Sequence, residues 1–314
     1  MARNFPHPIP ASWYAVAVSG DLAIGEVVSR DYFGRQLAVF RGEDGKPAVL
    51  DAHCPHLGAH LAHGGTVVGS RIRCPFHAWE FEGATGVCAH VPYAKRIPAA
   101  AHVGAYPTVE KNGFVFAWYH PQDAPPSFEL PDLREAGSED WSTPDRYEWE
   151  VRTQIQEMGE NGVDSAHFQF VHGALNVPTA EVESDGPSRR NYQPVNLKTP
   201  RGEVDGGIES QVYGMGFAIT RFTGICETLE LACSTPIDKE SVHVRYAFTQ
   251  PRVDGADPVG GVAAAIIRDI VKQMNEDIPI WENKKFCERP ILCDGDGPIP
   301  EYRRWCKQFY ADAP

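Results

Sequence analysis

From Trp13 to about His120 the apolar positions fall in short runs rich in Val and aromatic residues: Tyr14-Ala-Val-Ala-Val18, Gln36-Leu-Ala-Val-Phe40, Ala48-Val-Leu50 and Phe114-Val-Phe-Ala-Trp118. Glycine turns separate them, at Gly42-Glu-Asp-Gly45, Gly64-Gly65 and Lys111-Asn-Gly113. This pattern predicts strands joined by tight turns, an all-β module. Residues from about 121 to 145 are dense in Pro, Asp, Glu and Ser and read as a linker or surface meander. A helix is predicted from Ile155 to about Phe170. Four strand-like runs follow, at 207–213, 216–222, 227–233 and 241–249, and the last three alternate as half-buried antiparallel strands do. Helical period returns over Val262–Met274, with Val262, Ile266, Ile270 and Met274 on one stripe. The predicted fold class is α+β. An all-β module precedes a curved antiparallel sheet that holds a long C-terminal helix over its concave face and closes an apolar pocket.

At 314 residues the chain has room for two domains. Its 42% hydrophobic and 23% charged residues are ordinary globular composition. A net charge of −13 excludes nucleic acid as an expected partner. Of eight cysteines, at 54, 74, 88, 226, 233, 287, 293 and 306, none falls in a disulfide framework spacing. Reduced thiols predict a cytoplasmic protein. The start, MARNFPHPIPASW, lacks the apolar region of a signal peptide, and no run approaches the ~18–20 apolar residues of a spanning helix.

Two short runs carry the sharpest chemistry: Cys54-Pro-His56 and Cys74-Pro-Phe-His77, with seventeen residues between His56 and Cys74. Each pairs a thiolate with an imidazole. That suits a Rieske [2Fe–2S] cluster, with both cysteines on one iron and both histidines on the other. Zinc is the rival ligand, but structural zinc sites usually pair like with like, as C-x₂₋₄-C and H-x₃₋₅-H. Respiratory-chain Rieske proteins carry two more cysteines near the cluster and a hydroxyl after the second histidine. Here Ala59 and Phe76 stand at those cysteine positions, and Ala78-Trp79 follows His77. Fewer hydrogen bonds to the cluster imply a lower potential, suited to a ferredoxin or an oxygenase. His60, His63, His90 and His102 read as loop or surface residues, and Cys88 as structural.

A second constellation lies in the predicted helix, Glu160-Asn161-Gly-Val-Asp164-Ser-Ala-His167-Phe-Gln-Phe-Val-His172. Five residues turn an ideal helix through about 500°, so His167 and His172 share a site only if the helix ends between them. Val171-His172-Gly173 is a fitting stop. Two histidines and one carboxylate form the facial triad of non-haem Fe(II) oxygenases. Asp164, three residues before His167, would share its helical face and accept the second ring N–H of His167. The bland alternative for Asp164 is an exposed acidic residue. The third ligand is assigned to Asp277, which continues the stripe of Ile270 and Met274; Glu276 and Glu282 remain alternatives. Pro279 disfavours helix at Ile278 and leaves the direction of Asp277 open.

Taken together, Cys54-x-His56-x₁₇-Cys74-x₂-His77 and Asn161-x₂-Asp164-x₂-His167-x₄-His172 resemble the signature of Rieske non-haem iron oxygenase α subunits. Val91-Pro-Tyr-Ala-Lys-Arg96, Ile280-Trp-Glu-Asn-Lys284 and Arg304-Trp-x₃-Phe-Tyr310 are similar to the 3-ketosteroid 9α-hydroxylase oxygenase component, and Glu160-Asn-Gly162 is similar to cholesterol 7-desaturases. The chain departs from them in being shorter after His172 and in carrying Ala78 where relatives carry Gly or Asp. The resemblance implies a Rieske β-sandwich domain over 12–120 and a helix-grip catalytic domain over 121–314, joined by residues 1–11. It implies a homotrimer in which Asp164 passes electrons between a cluster histidine and His167 of neighbouring subunits. Asn161 is implied as a polar residue near the iron.

The expected activity is that of a terminal oxygenase. It would take electrons from an NAD(P)H-dependent reductase or ferredoxin and use O₂ to hydroxylate an apolar polycyclic substrate, a steroid by resemblance. Phe168, Phe170, Tyr213, Met215, Phe217, Phe222 and Trp281 are the pocket candidates, each of which also reads as plain core. Desaturation, demethylation and ring dihydroxylation are rival outcomes of the same chemistry. An electron-carrying ferredoxin with an added domain, or a lipid-binding module without catalysis, are the non-enzyme alternatives.

Overall fold

The computed structural model describes residues 5–173, 181–199, 202–258 and 260–311. The chain divides into two compact units, one of Trp13–Asp132 and one of Met1–Ser12 with Leu133–Pro314. The first falls about a dozen residues beyond the 120 read from the sequence. Residues after 120 are tied back to it: Trp118 Nε1 donates to Ala124 O, Trp13 Nε1 to Phe128 O, and Lys111 Nζ to Leu130 O and to the Asp132 carboxylate.

The first unit is built of short strands: β1 (Ser12–Val18), β2 (Val27–Tyr32), β3 (Arg35–Arg41), β4 (Pro47–Asp51), β5 (Thr66–Val68), β6 (Arg71–Arg73), β7 (Glu80–Glu82), β8 (Cys88–His90), β9 (Ala105–Tyr106), β10 (Thr108–Lys111) and β11 (Phe114–Tyr119). They form three sheets, in the orders β1-β11-β10, β2-β3-β4-β9 and β5-β6-β7-β8. β1 and β11 are buried along their whole length, which is why both read as continuous apolar runs. Arg71 and Arg73 both grip the buried Glu80, at 2.9 and 2.8 Å, and so pin β6 to β7.

Two loops of this unit, one after β4 and one after β6, share one design. After β4, Gly58 N–H donates to Cys54 O and Cys54 N–H to Ala59 O. After β6, Ala78 N–H donates to Cys74 O and Cys74 N–H to Trp79 O. The fourth residue after each cysteine is left-handed, Gly58 at φ 77° and Ala78 at φ 56°. Glycine adopts that conformation without a Cβ clash; alanine does not.

The second unit is a seven-stranded antiparallel sheet with the order β12-β18-β17-β16-β15-β14-β13. Its strands are β12 (Asp145–Val151), β13 (Glu181–Asp185), β14 (Ser188–Thr199), β15 (Gly202–Tyr213), β16 (Phe217–Thr223), β17 (Thr228–Pro236) and β18 (Val242–Thr249). Its helices are α1 (Ile155–Glu160), α2 (Ser165–Phe170), α3 (Gly261–Asn283) and α4 (Ile299–Cys306). β15 to β18 match the four predicted runs, with β15 beginning five residues earlier, β17 ending three later and the other ends within one residue. β12, β13, β14 and α4 were not read from the sequence. β14 is polar on both faces and carries Pro194, so no apolar period announces it.

Three side chains fix which face of the sheet the helices cover. Tyr246 OH donates to Met274 Sδ of α3 at 3.4 Å, Trp149 Nε1 to Asn275 Oδ1 of α3 at 3.0 Å, and Ser234 Oγ to Met158 Sδ of α1 at 3.6 Å. Trp149, Tyr246 and Ser234 lie on one face by register.

The helical regions correct two expectations. The predicted helix 155–170 is broken: a 3₁₀ turn over Asn161–Val163 and an extended Asp164 (φ −84°, ψ 92°) separate α1 from α2. In α3 the buried positions are Ile267, Met274, Asp277 and Trp281; Met274 and Asp277 lie inward as expected and Ile266 and Ile270 are half-buried, whereas Val262 is exposed. The helix also runs through Pro279. Pro279 and Asn275, whose carbonyl the proline leaves unpaired, are both exposed, so water can satisfy it.

Replacing Ala78 by glycine relieves its left-handed strain. Ala78→Gly is expected to raise stability by about 1 kcal/mol, read as a higher melting temperature. An unchanged or lower value would contradict the loop argument.

Candidate metal centres

The four cluster candidates sit on the twin loops after β4 and β6. Cys54 and Cys74 are both buried in the module core, among Leu50, Leu61, Ile72 and Phe81. Burial pushes the Cys54 thiol up to about 11; the His56 backbone opposes this and the neighbouring Cys74 adds to it. The rings of His56 and His77 stand 4.6 Å apart. His77 Nδ1 is buried and has no hydrogen-bond partner. A buried ring nitrogen is normally paired, so an atom left in this state suits a metal ligand. Trp79 stacks on His56 at 4.6 Å and 7°, and its Nε1 donates to Tyr93 OH at 2.7 Å, which fixes the plane of that imidazole.

Among the described residues, one group of three or more His, Cys, Asp or Glu has all its ligand atoms within 4.8 Å of one another, and it is His167, His172 and Asp277. The Cys54, His56, Cys74 and His77 set, two thiols buried together and two imidazoles side by side, suits a cluster of two irons.

The break at Asp164 builds the second group. Asp164 caps α2, its carboxylate accepting from His167 N–H at 3.4 Å. Its backbone carbonyl, and not its carboxylate, meets His167 Nδ1. This corrects the expected shared helical face, because Asp164 is extended rather than helical. A carbonyl can only accept, so Nδ1 carries the proton and Nε2 offers its lone pair. α2 ends as expected, with Val171 N–H on His167 O and Gly173 at φ 73°. His172 then turns back, and its ring lies 5.1 Å from that of His167.

On α3, Glu276 and Asp277 divide two roles. His172 Nδ1 donates to Glu276 Oε2 at 3.0 Å, while His172 Nε2 lies 3.4 Å from Asp277 Oδ1. Glu276 thus stands behind His172 and Asp277 in front of it. Lys272, then His172, holds the Glu276 carboxyl below its ordinary value. Glu282 is engaged elsewhere, with Arg152 N–H. Burial raises Asp277, against the pull of His172, His167 and Asn161. Asn161 is held by Trp281, whose Nε1 donates to Asn161 Oδ1 at 3.3 Å, and this turns the amide N–H toward Asp277. Three groups with aligned lone pairs, two of them with their outer nitrogens occupied, can hold a divalent ion and leave positions open.

The Rieske [2Fe-2S] domain family matches residues 12–107, and the 3-ketosteroid 9α-hydroxylase C-terminal domain family matches residues 117–310. A probable 3-ketosteroid-9-alpha-monooxygenase oxygenase component of Rhodococcus rhodochrous is 32% identical over 98% of this chain and 81% of its own length. Cholesterol 7-desaturase nvd of Xenopus laevis is 32% identical over 99% of this chain and 74% of its own. The chain belongs to the Rieske non-haem iron oxygenases. In fold it is similar to dicamba monooxygenase bound to dicamba, with a TM-score of 0.76 at 20% identity, over 96% of this chain and 98% of that one. It is thus a terminal oxygenase of the 3-ketosteroid 9α-hydroxylase family, with a Rieske [2Fe–2S] cluster and a mononuclear non-haem iron as its cofactors. As the oxygenase component of a multi-component system it works with an electron-donating partner. Among the described residues no helix is long and apolar enough to cross a membrane.

The oxygenase does not gather all the pocket candidates. Phe168 packs on His167 and His172, at 4.2 and 5.9 Å between rings. Trp281 is buried beside Asn161, and Phe222 is on the helix side of the sheet. Phe170, at 80% exposed, points away from any enclosed space. Tyr213 and Phe217 pair with each other and with Cys233, which puts them on the sheet face away from Tyr246 and the helices. Met215 lies in the β15–β16 turn, its N–H on Ser12 Oγ. Two-residue alternation moved these side chains out of the pocket; their apolar character alone could not reveal it. His60 bonds Ser29 Oγ and Cys88 the His90 carbonyl, and neither joins a metal group.

Sequence reasoning missed Glu276 as the orienting partner of His172; its place one residue from Asp277 and four from Lys272 was the signal. Losing such a partner costs metal affinity. Glu276→Ala is expected to weaken Fe(II) binding by about 10- to 100-fold while leaving the cluster's visible spectrum intact. Unchanged Fe(II) affinity in a titration would show that Glu276 does not orient His172.

Proposed function

We propose that this oxygenase hydroxylates a steroid, with Cys54 and Cys74 on one iron of the cluster, His56 and His77 on the other, and His167, His172 and Asp277 on the catalytic iron. The convergence of these last three within 4.8 Å, beneath the helix-covered face of the sheet, carries the reading. When bound, the two centres supply one-electron transfer and the activation of O₂. The overall reaction takes O₂, two electrons and two protons, places one oxygen atom in a C–H bond and releases the other as water.

The chain's own residues supply order. The Asp164 carbonyl and the Glu276 carboxylate keep both Nδ1 atoms protonated, so both imidazoles present Nε2. Asn161 and Trp281 restrain Asp277. Phe168 covers the histidine pair and excludes water from it. The steroid substrate rests on the likeness to relatives named for 3-ketosteroids and cholesterol.

A homotrimer, an NAD(P)H-dependent reductase or ferredoxin, and a cytoplasmic setting complete the proposal. Leu57, Phe76 and Tyr93 stand exposed around His56 and His77, an apolar rim suited to a docking partner. The Asp164 carboxylate makes one long bond and has room to accept from a cluster histidine of another subunit. All eight cysteines are free, which supports a reducing compartment. Desaturation is a second reading, favoured by the equal 32% identity to cholesterol 7-desaturase.

Anaerobically purified protein is expected to carry about three irons per chain, and Asp277→Ala about two, with the cluster spectrum kept and turnover lost. With a surrogate reductase, 3-ketosteroids and ¹⁸O₂, one labelled oxygen should appear in the product. An unlabelled product two hydrogens lighter would establish desaturation, and turnover of small benzoates alone would refute the steroid assignment.

A further inference from the structure

The helix-covered face of the sheet is not apolar. Along β16 and β17 the far-face residues Phe217, Ile219, Leu231 and Cys233 are buried, whereas Ala218, Thr220, Ala232 and Ser234 on the helix side are half-buried. Midway along β16 and β17 the far side is thus the more tightly packed, and a partly open floor lies beneath the helices that carry the proposed metal ligands. Ala218 and Ala232 are register partners, and their small side chains leave room above them.

One step along the strands, the register aligns a polar row: Asn191 opposite Ser210, Ser210 opposite Thr220, Thr220 opposite Glu230. The middle pair satisfies itself, Ser210 Oγ to Thr220 Oγ1 at 3.1 Å. The two ends do not. Asn191 Nδ2 donates to Gly162 O, but its Oδ1 is buried without a partner. Glu230 is 6% exposed, and the hydroxyl of its register partner Thr220 is turned to Ser210 rather than to its carboxyl. Its flanking partner on β18 is Phe248. Burial alone raises its carboxyl to about 8, so it is held as the neutral acid near neutral pH. Tyr246, on the same face, feels both Glu230 and Asp277, which puts Glu230 on the catalytic side of the sheet.

A buried acid without a partner costs stability unless something meets it. We propose that Glu230 is a specificity-determining residue that hydrogen-bonds an oxygen function, keto or hydroxyl, on a ring of the substrate remote from the oxidised carbon. The neutral acid donates to a ketone and can also accept from a hydroxyl. The inference rests on the steroid reading and adds to it that the skeleton must carry a polar end. A site built to bond an oxygen rejects the analogue that lacks it, whereas an apolar floor does not discriminate.

The test uses iron-loaded full-length protein and three probes: androst-4-ene-3,17-dione, androst-4-en-3-one and androst-4-en-17-one. Binding is read by quenching of tryptophan fluorescence, independently of turnover. Wild type is expected to prefer the dione about tenfold over one of the two mono-ketones. Glu230→Met, similar in size and without the acid, should bind those two equally, and Glu230→Gln, which keeps an N–H donor, should retain the preference. Replacing a buried neutral acid by either residue introduces no new charge, and thermal melts verify the fold. Glu230→Met with the wild-type preference intact overturns the assignment, as does a wild type that prefers the dione over neither mono-ketone. If wild type binds none of the three steroids, the steroid reading itself falls, and this inference with it.

Discussion

Two hydrogen bonds to the outer nitrogens of two imidazoles organise the candidate metal centre. His167 Nδ1 is committed to the carbonyl of Asp164, and His172 Nδ1 to the carboxylate of Glu276. Without them each ring could present either nitrogen, and Asp277 would meet no common point. The first bond exists because the chain leaves helical geometry for one residue at Asp164, which brings a carbonyl round to the side chain three positions on. The second exists because α3 persists through Pro279 and sets Glu276 and Asp277 on either side of the His172 ring. Helix breaking in one element and helix persistence in the other are thus both part of the site.

The sheet contributes by asymmetry. Where β16 meets β17 its far face is tightly packed, with Phe217, Leu231 and Cys233 buried. Its near face carries alanines, a hydroxyl pair and an isolated acid, and remains partly open. The β module shows a comparable economy. Two loops with the same backbone hydrogen bonds present one cysteine and one histidine each, and the Arg71–Glu80–Arg73 bridge and the Trp79–His56 stack hold them in place.

Much of this was legible from residue order. Cys54, His56, Cys74 and His77 stood out as cluster candidates through spacing, and the later strands through alternation. The facial carboxylate was narrowed to Asp277 by helical phase, and the structure brings Asp277 to the histidines while Glu276 and Glu282 engage other groups. What escaped was governed by register and by local breaks. Tyr213 and Phe217 looked like residues of a pocket under the helices but fall on the opposite face, because one residue of phase decides the side. Asp164 looked helical because its neighbours are. β14, polar on both faces, offered no period to read, yet it supplies Asn191. Glu230 sat in plain view within Thr-Leu-Glu-Leu-Ala-Cys, and only cross-strand pairing shows that it faces the catalytic side.

The proposed chemistry requires two distinct iron sites, one held by Cys54, His56, Cys74 and His77 and one by His167, His172 and Asp277. Crystals of protein purified without oxygen, measured on both sides of the iron absorption edge, test it most directly. The account predicts a strong anomalous iron peak among Cys54, His56, Cys74 and His77, and a separate single-atom peak enclosed by His167, His172 and Asp277. A signal at the zinc edge in the first position, or no metal within bonding distance of all three residues in the second, would contradict it.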